Sequence, residues 1–213
     1  MEASEIHFIV IEGLDASGKT TQAIRLQSFL MSRMKTVCLR IHPSDDNFLG
    51  THAKTFLQAK GKNAHFASAL FYMLDVVRSF LKYSWQEKDY VIFVRYLLGT
   101  AYLPSPVDKV AYHFFATIVP KPENLLFIDI KPEVAYRRIM RRAHDVPEMF
   151  EKPEALQRIR TKGLELARLG KWQILDGTKP ASEVELEIHK FLGFAKSLPS
   201  AIKTKSGAED KNG

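Results

Sequence analysis

A short apolar run that ends in a glycine-bracketed loop is the first stretch whose residue types could do chemistry. After residues 8–11, Gly13, Gly18, Lys19 and Thr20 match the spacing G-x-x-x-x-G-K-[ST]. Glycines turn bare backbone N–H groups toward an anion, and the N-terminal end of the following helix adds positive potential. Lys19 can reach the terminal phosphates of a nucleotide, and the Thr20 hydroxyl can ligate Mg²⁺. The sequence therefore predicts a phosphate-binding loop (P-loop) at residues 13–20.

A stripe of three side chains on one helix could contact a second ligand. Phe71, Asp75 and Arg78 lie at i, i+4 and i+7, and they interrupt an otherwise apolar helical surface. A buried helix seldom accommodates an acid and a base unless they pair or meet a ligand. The stripe is therefore either a substrate contact or a surface Asp75–Arg78 ion pair beside a core phenylalanine, and both interpretations stay open.

Two predicted strands end in charged residues. Arg95 follows the apolar run 90–94, and open α/β sheets place ligand contacts at such carboxyl ends. Asp129 closes the apolar run 125–128, which fits either a metal-assisting aspartate or a solvated turn residue. Arg95 is the stronger candidate for a substrate contact, because a structural arginine would more often lie on a helix face.

A cluster of arginines closes one predicted helix. Arg137 with Arg141, and Arg138 with Arg142, are like-charged i, i+4 pairs that repel each other unless an anion lies between them. Residues 141–151 are charged and poor in apolar side chains. The pattern predicts a mobile lid that closes over transferring phosphates, and a solvated basic face is the alternative.

Alternating strands and helices must position these residues. Buried apolar runs predict five strands, at 8–11, 36–41, 90–94, 125–130 and 172–175. The helix from residue 64 to about 83 is apolar around most of its circumference, which predicts that it is well buried. Short buried strands that alternate with helices indicate a parallel sheet covered on both faces. We therefore predict an α/β fold, a three-layer α/β/α sandwich with a five-stranded parallel sheet, of the P-loop NTPase or kinase type.

Length and composition predict one domain in a reducing compartment. The 213 residues are 46% hydrophobic, enough for one substantial core, which we place at residues 1–195. Residues 196–213 are polar and basic, and we expect a disordered tail there. The lone Cys38 excludes an intramolecular disulfide framework and favours a cytoplasmic location. The N-terminus fits neither a signal peptide nor a membrane span, so we expect no membrane partner.

The net charge of +7 raises the question of nucleic-acid binding. Clusters of lysine and arginine supply affinity for a phosphate backbone. Here the excess is spread over the body of the chain, and no nucleic-acid-binding motif accompanies it. A pocket that handles phosphates accounts for much of the charge, so we expect no specific nucleic-acid partner.

The P-loop and its surroundings resemble those of the thymidylate kinases. The loop reads Glu-Gly-Leu-Asp at 12–15 and Ser-Gly-Lys-Thr-Thr-Gln at 17–22. The resemblance covers nearly the whole body of the chain, through residues 70–78, Arg95-Tyr96, residues 148–151 with Leu156 and Arg160, and residues 175–177. It implies a nucleoside monophosphate kinase that moves the γ-phosphoryl group of ATP, with Mg²⁺, onto dTMP or a related nucleotide.

The resemblance also implies roles for particular residues. Asp15 would touch the acceptor's sugar, Arg95 would hold its phosphate, and the lid arginines would neutralise charge during transfer. The implied catalytic residues are Lys19, Arg95, Arg138, Arg141 and Arg142. The implied nucleotide-binding residues are Gly13, Asp15, Ala16, Ser17, Gly18, Lys19, Thr20 and Thr21, with Thr20 as the metal ligand. The implied acceptor-binding residues are Asp15, Phe71, Asp75, Arg78, Arg95, Tyr96 and Tyr102.

Three departures from the family's pattern bear on activity. Val94 stands where the family has an aspartate that helps to organise Mg²⁺, Gly163 where a tyrosine is common, and Ile41-His42-Pro43 where Arg-Glu-Pro is usual. Slow or altered catalysis would follow from the loss of a metal-organising acid. The alternatives to dTMP kinase activity are a nucleotide-binding regulatory protein with weak or no kinase activity, and a kinase for another small acceptor. A homodimer is compatible with the sequence, but the sequence does not determine the oligomeric state.

Overall fold

Five parallel strands form the centre of the protein. The computed structural model describes residues 6–58, 62–83, 88–103, 106–119, 122–142 and 152–194. The strands are β1 (His7–Gly13), β2 (Val37–Ile41), β3 (Tyr90–Val94), β4 (Asn124–Asp129) and β5 (Gln173–Asp176). Within these ranges they form one sheet in the order β2-β3-β1-β4-β5, and every pairing is parallel. The predicted strands are confirmed. The three central strands, β1, β3 and β4, are mostly buried, and strands buried on both faces read as continuous apolar runs.

Helices cover both faces of the sheet, which confirms the three-layer fold. They are α1 (Lys19–Met31), α2 (Phe48–Gln58), α3 (Lys62–Tyr83), α4 (Val107–Ile118), α5 (Pro132–Arg142), α6 (Pro153–Leu169) and α7 (Ala181–Phe191), and a short 3-10 helix spans Leu98–Tyr102. Helices α1 and α7 pack on one face, and α3 to α6 contribute to the core on the other. None of the helices in the described ranges is both long enough and apolar enough to cross a membrane.

Alternation along β1 distributes its side chains between the two cores. Ile9 and Ile11 face α1 and α7, whereas Val10 belongs to the core on the opposite face. Glu12 follows the same alternation and is 2% exposed, on the side of Val10. The alternation of side chains along β1 therefore places the Glu12 carboxylate in the interior of the protein.

Helix α3 is less buried than its apolar sequence predicts. Ala69, Met73 and Val76 lie in the core, but four apolar residues of the same helix are between 40% and 60% exposed, namely Phe66, Leu70, Leu74 and Leu81. Their spacing places them on one outward face. The prediction that this helix is well buried was wrong for this outward face, because a helix that packs on a sheet turns only one side toward it.

The strand order brings the predicted site residues to one edge. Strand β1 lies between β3 and β4, with Ile11 opposite Val94 and Gly13 opposite Ile128. The carboxyl ends of these three strands therefore lie side by side, where α/β sheets bind ligands. The predicted tail and residues 143–151 of the predicted lid lie outside the described ranges.

Candidate active site

The loop after β1 has the backbone shape that its glycines predict. Gly13 and Gly18 have φ values of 145° and 101°, and Ala16 between them has a φ of 59°. A Cβ atom on Gly13 would lie 2.3 Å from the carbonyl oxygen of Ile128, so a side chain does not fit there. The Ser17 hydroxyl is buried and has no hydrogen-bond partner among the described residues. A bound anion would satisfy such a donor.

The side chain of Lys19 is buried against the backbone of this loop. It is 5% exposed, and its ammonium donates to the Leu14 carbonyl at 2.5 Å. The same nitrogen lies 3.8 Å from Oδ1 of Asp15. Burial lowers the pKa of Lys19 to about 8; the nearby Glu12 opposes this shift and Arg142 adds to it. Phosphate oxygens in the loop would stabilise the charged ammonium, which is the role that the motif predicts.

Arg95 reaches the same loop from the carboxyl end of β3. Its guanidinium donates to Oδ1 of Asp15, and a longer hydrogen bond of 3.4 Å joins Nη1 to the His42 carbonyl. The Arg95 side chain is 30% exposed. One carboxylate oxygen therefore lies between the lysine of the P-loop and an arginine that stays accessible to an anionic ligand.

Glu12 connects β1 to the turn that follows Arg95. Its Oε1 accepts hydrogen bonds from the backbone N–H groups of Tyr96 and of Leu98, the latter at 3.1 Å. Burial raises the pKa of Glu12 to about 7, opposed first by these two amides and then by the charges of Lys19 and Arg95. Sequence reasoning missed this contact, and the available signal was an acid that ends an otherwise apolar strand.

His42 holds the same turn from the side of β2. Its ring is fully buried, and its Nδ1 lies 3.0 Å from the carbonyl oxygen of Arg95. Burial lowers the pKa of His42 to about 4, with the charge of Asp75 opposing. The imidazole is therefore neutral at pH 7, and Nδ1 must carry the proton because a carbonyl oxygen only accepts. This contact was also missed, since the sequence showed His42 only as a departure from the family's pattern.

The arginines of α5 divide between the loop and the solvent. Arg138 donates to the carbonyl oxygens of Ala16 at 3.3 Å and of Gly177 at 3.0 Å, so the structure brings this predicted residue to the P-loop. Arg141 and Arg142 are exposed at the end of α5. The charge of Arg142 nevertheless lowers the pKa of Lys19, which places it within electrostatic reach of the loop.

Asp75 has a structural role, which corrects both its predicted contact with the acceptor and the alternative of a surface ion pair with Arg78. It is fully buried, and its carboxylate accepts hydrogen bonds from the Ser44 N–H at 2.7 Å, the Ser44 hydroxyl at 2.6 Å and the Asn47 amide at 2.8 Å. A buried carboxylate needs donors, and the loop after β2 supplies them. The acid therefore holds that loop and forms no surface ion pair with Arg78.

Phe71 and Arg78 stay candidates for acceptor binding. Nη1 of Arg78 is buried and has no hydrogen-bond partner among the described residues, so a ligand could satisfy it. Phe71 stacks on Phe56 of α2, with ring centroids 5.5 Å apart and an interplanar angle of 11°. Its ring also lies 6.2 Å from that of Phe48, which is 64% exposed. Phe48, Phe56 and Phe71 form an aromatic cluster at the surface of α2 and α3.

Of the two tyrosines predicted to bind the acceptor, Tyr96 lies in the core. Tyr96 is 0% exposed, and its ring packs edge-on against Phe8 and Phe93 in the core. Burial raises the pKa of its hydroxyl. We therefore correct the predicted substrate contact of Tyr96 to a packing role. The side chain of Tyr102 lies outside what the structure describes, so its role stays a prediction.

The predicted acids for magnesium are absent or engaged elsewhere. Asp129 accepts two hydrogen bonds of 2.7 Å from Arg160, which corrects both the metal-assisting and the solvated-turn interpretations. Val94 is 1% exposed and packs in the core on the side of α1. Among the described residues, no group of three or more acids, histidines or cysteines could hold a metal ion.

The missing tyrosine at position 163 has a packing explanation. Gly163 is buried in α6, and a Cβ atom added there would lie 3.2 Å from the ring of Phe127 on β4. That distance is shorter than an ordinary van der Waals contact between carbon atoms. The close approach of α6 to β4 thus favours glycine at this position.

A phosphate-binding loop after the central strand, with an arginine at the end of the neighbouring strand, defines a P-loop kinase of small phosphorylated substrates. Comparisons with known proteins are more specific. The family model described as thymidylate kinase matches residues 11–188. The chain belongs to the thymidylate kinase family, and the predicted class of enzyme, an ATP-dependent nucleotide kinase, is confirmed with it.

Relatives and solved structures agree with this assignment. The chain is 33% identical over 183 residues to a probable thymidylate kinase of Metallosphaera sedula, covering 84% of this chain and 88% of that protein. It is 29% identical over 196 residues to the thymidylate kinase of Thermosipho melanesiensis, covering 87% and 96%. The thymidylate kinase structure from Candida albicans shares the fold, with a TM-score of 0.69 at 18% identity, covering 89% of this chain and 92% of that one.

Replacing Val94 by aspartate should destabilise the protein. Val94 is buried among apolar side chains, so Val94→Asp should lower the free energy of unfolding by about 3 kcal/mol, through the desolvation of an unpaired carboxylate. Turnover should not rise. Urea unfolding and steady-state kinetics measure both effects.

Val94→Thr is the matched control, because it keeps the shape and adds no charge. We expect it to lose less stability than Val94→Asp, with the difference shrinking as the pH falls and the new carboxyl group becomes neutral. A Val94→Asp protein as stable as the wild type and faster in turnover would show that position 94 faces the metal.

Burial of neutral His42 should make the protein less stable in acid. The folded pKa of about 4 lies below the ordinary value of 6.5, so the unfolded chain takes up a proton that the folded chain does not. Stability from this group is complete above pH 6.5 and falls as the pH drops toward 4. The wild type should lose about 2 kcal/mol between pH 7 and pH 5 relative to His42→Asn, which cannot titrate there.

Urea unfolding at several pH values measures this difference. His113 is exposed on α4, so His113→Asn serves as the control and should follow the wild type at every pH. A constant difference between the wild type and His42→Asn across this range would contradict the burial of a neutral imidazole.

Proposed function

We propose that the protein transfers the γ-phosphoryl group of ATP to dTMP. The observation that carries this proposal is the position of Asp15 between two cations. Its Oδ1 lies 3.8 Å from the ammonium of Lys19 and accepts a hydrogen bond from Arg95. Lys19 belongs to the loop that would hold ATP, and Arg95 lies where the acceptor phosphate would arrive. A donor phosphate and an acceptor phosphate bound by these cations would be neighbours.

Transfer between them needs no covalent intermediate. The N–H groups of the P-loop and Lys19 would hold the terminal phosphates of ATP, and Arg95 would orient the acceptor. Arg138, which already contacts the loop carbonyl of Ala16, would neutralise charge on the transferring group, with Arg141 and Arg142 closing from the end of α5. Catalysis would then consist of positioning and electrostatic stabilisation.

The residues present fit a magnesium ion that is held mainly by the substrate. Mg²⁺ in kinases keeps several waters and binds one or two protein oxygens together with substrate phosphates. The exposed hydroxyl of Thr20 at the start of α1 supplies one such oxygen, and the Asp15 carboxylate lies on the same loop. When bound, the ion would offset the negative charge of the β- and γ-phosphates.

The preference for dTMP is inferred from the relatives. The archaeal and bacterial proteins that match nearly the whole chain are named thymidylate kinases. Asp15 would contact the sugar, and Phe71 with Arg78 would contact the base. Arg78 supports this role through its unsatisfied Nη1. We also place the protein in the cytoplasm, because its single cysteine is a free thiol.

Purified protein with MgATP should phosphorylate dTMP with a higher kcat/KM than any other nucleoside monophosphate of a full panel. ADP release measures turnover, and EDTA should abolish it. Lys19→Ala should lower kcat by about a hundredfold or more, because the transferring phosphate loses its ammonium. Lys190→Ala, at an exposed position on α7, should change nothing.

Failure with every acceptor in the panel, while ATP still binds, would refute the kinase function and leave a nucleotide-binding regulatory protein. Turnover with an acceptor outside the nucleotides would instead support the third alternative. Activity retained in Lys19→Ala would remove the P-loop from the mechanism.

We further propose that two copies of the chain associate through the outer face of α3. This face exposes Phe66, Leu70, Leu74 and Leu81 on one side of the helix. An apolar stripe of this kind marks an interaction surface, and a second copy carries the same stripe for a two-fold contact.

A charge in the middle of the stripe should separate the copies. Leu74→Glu should convert a dimer into a monomer in sedimentation equilibrium, because association would bury an unpaired carboxylate. Leu169→Glu is the control, since Leu169 is 66% exposed on α6, and it should leave the mass unchanged. A wild-type protein that is monomeric at high micromolar concentration would exclude the dimer.

A further inference from the structure

The turn after β3 has a backbone conformation that other elements must maintain. Arg95 has a φ of 65°, in the left-handed region that residues other than glycine seldom adopt. Such a conformation persists only where the surroundings determine it, and it occurs preferentially at functional sites. The groups that hold this turn therefore decide where the Arg95 guanidinium points.

Strand β1 holds the turn through Glu12. The backbone N–H of Arg95 donates to the Ile11 carbonyl at 3.1 Å, which extends the β1–β3 pairing by one residue. The Glu12 carboxylate then accepts the N–H groups of Tyr96 and Leu98. Glu12 is 2% exposed, so water cannot readily replace these hydrogen bonds. A single oxygen atom thus fixes two peptide units that follow the arginine.

Strand β2 holds the turn through His42. The His42 backbone N–H donates to the Val94 carbonyl, and its Nδ1–H donates to the Arg95 carbonyl, each at 3.0 Å. The ring is itself fully buried. His42 on β2 therefore holds the peptide units before and after Arg95. Glu12 on β1 holds the second of these units through the Tyr96 N–H, and it also holds the unit that carries the Leu98 N–H.

We infer that Glu12 and His42 are positioning residues that set Arg95 for the acceptor phosphate. This inference rests on the proposed function, in which Arg95 binds that phosphate. Neither side chain contacts the reacting atoms in this arrangement, and both act through the backbone around Arg95. Glu12 lies three residues before Asp15 on the same chain segment, so the strand that carries the ATP loop also orients the acceptor-binding arginine.

Substitutions at Glu12 test the first half of the inference. Glu12→Ala should raise the KM for dTMP by about tenfold to a hundredfold, which is the range expected when buried N–H groups lose their hydrogen-bond acceptor. The KM for ATP should stay within about twofold of the wild type. Glu12→Gln keeps a carbonyl oxygen in the same place, and it should restore most of the loss.

A matched control and a second variant distinguish a positioning role from a general folding defect. Glu165→Ala, at an exposed position on α6, should leave both KM values unchanged. If Glu12→Ala does not fold, Glu12→Asp withdraws the oxygen by one methylene group and keeps the charge. The same selective rise in the KM for dTMP is expected for Glu12→Asp.

Substitutions at His42 test the second half. His42→Ala removes the Nδ1–H donor and should raise the KM for dTMP selectively. The amide nitrogen of His42→Asn can take the place of Nδ1, and this variant should lie close to the wild type. Loss of acceptor affinity in His42→Asn equal to that in His42→Ala would overturn the role of the hydrogen bond.

Equilibrium binding of dTMP to the nucleotide-free protein separates this inference from the proposed function. A wild-type protein that phosphorylates no acceptor refutes the kinase activity, but weaker dTMP binding by Glu12→Ala would still support the positioning role. Equal dTMP binding and equal KM values in the wild type and Glu12→Ala would overturn it. A parallel rise in the KM values of ATP and dTMP would also overturn it, since that is the result of a general structural defect.

Discussion

A set of opposite charges at the end of β1 is the interaction on which the site depends. Glu12 and Asp15 supply the acids, and Lys19 and Arg95 supply the bases. Glu12 and Lys19 are buried, and buried charges are stable only when paired and hydrogen-bonded, so these two groups depend on the partners around them. The two cations would repel without the acids between them. The acids hold the two cations close together. Bound phosphates could then contact these cations beside Asp15 or in its place.

Two of the departures from the family's pattern leave the sheet well packed. Val94 completes an apolar core, and Gly163 admits the ring of Phe127. Asp129, the other candidate for assisting a metal ion, is paired with Arg160 between β4 and α6. None of these positions offers a free oxygen to a metal ion. In the proposed mechanism, the organisation of Mg²⁺ therefore falls to Thr20, to the neighbouring Asp15 and to the phosphates of the substrate itself.

Helix α3 supports the site without forming much of it. Asp75 binds Ser44 and Asn47, and this loop leads directly from His42, whose ring holds the backbone of Arg95. Through this loop and His42, Asp75 therefore helps to stabilise the backbone of Arg95 at the edge of the sheet. The outward face of α3 exposes apolar side chains. One helix therefore serves the core, the site and a proposed contact between copies.

The amino-acid sequence alone determined the P-loop and the five strands. The loop's chemistry lies within eight consecutive residues, and strands buried on both faces need only continuous apolar runs. The tertiary structure decided the partners of Glu12, Asp75 and Asp129, and it moved Tyr96 into the core. These contacts join residues far apart in the chain. They depend on strand order and register, which hydrophobic periodicity does not encode, because the same pattern is compatible with many pairings of distant segments.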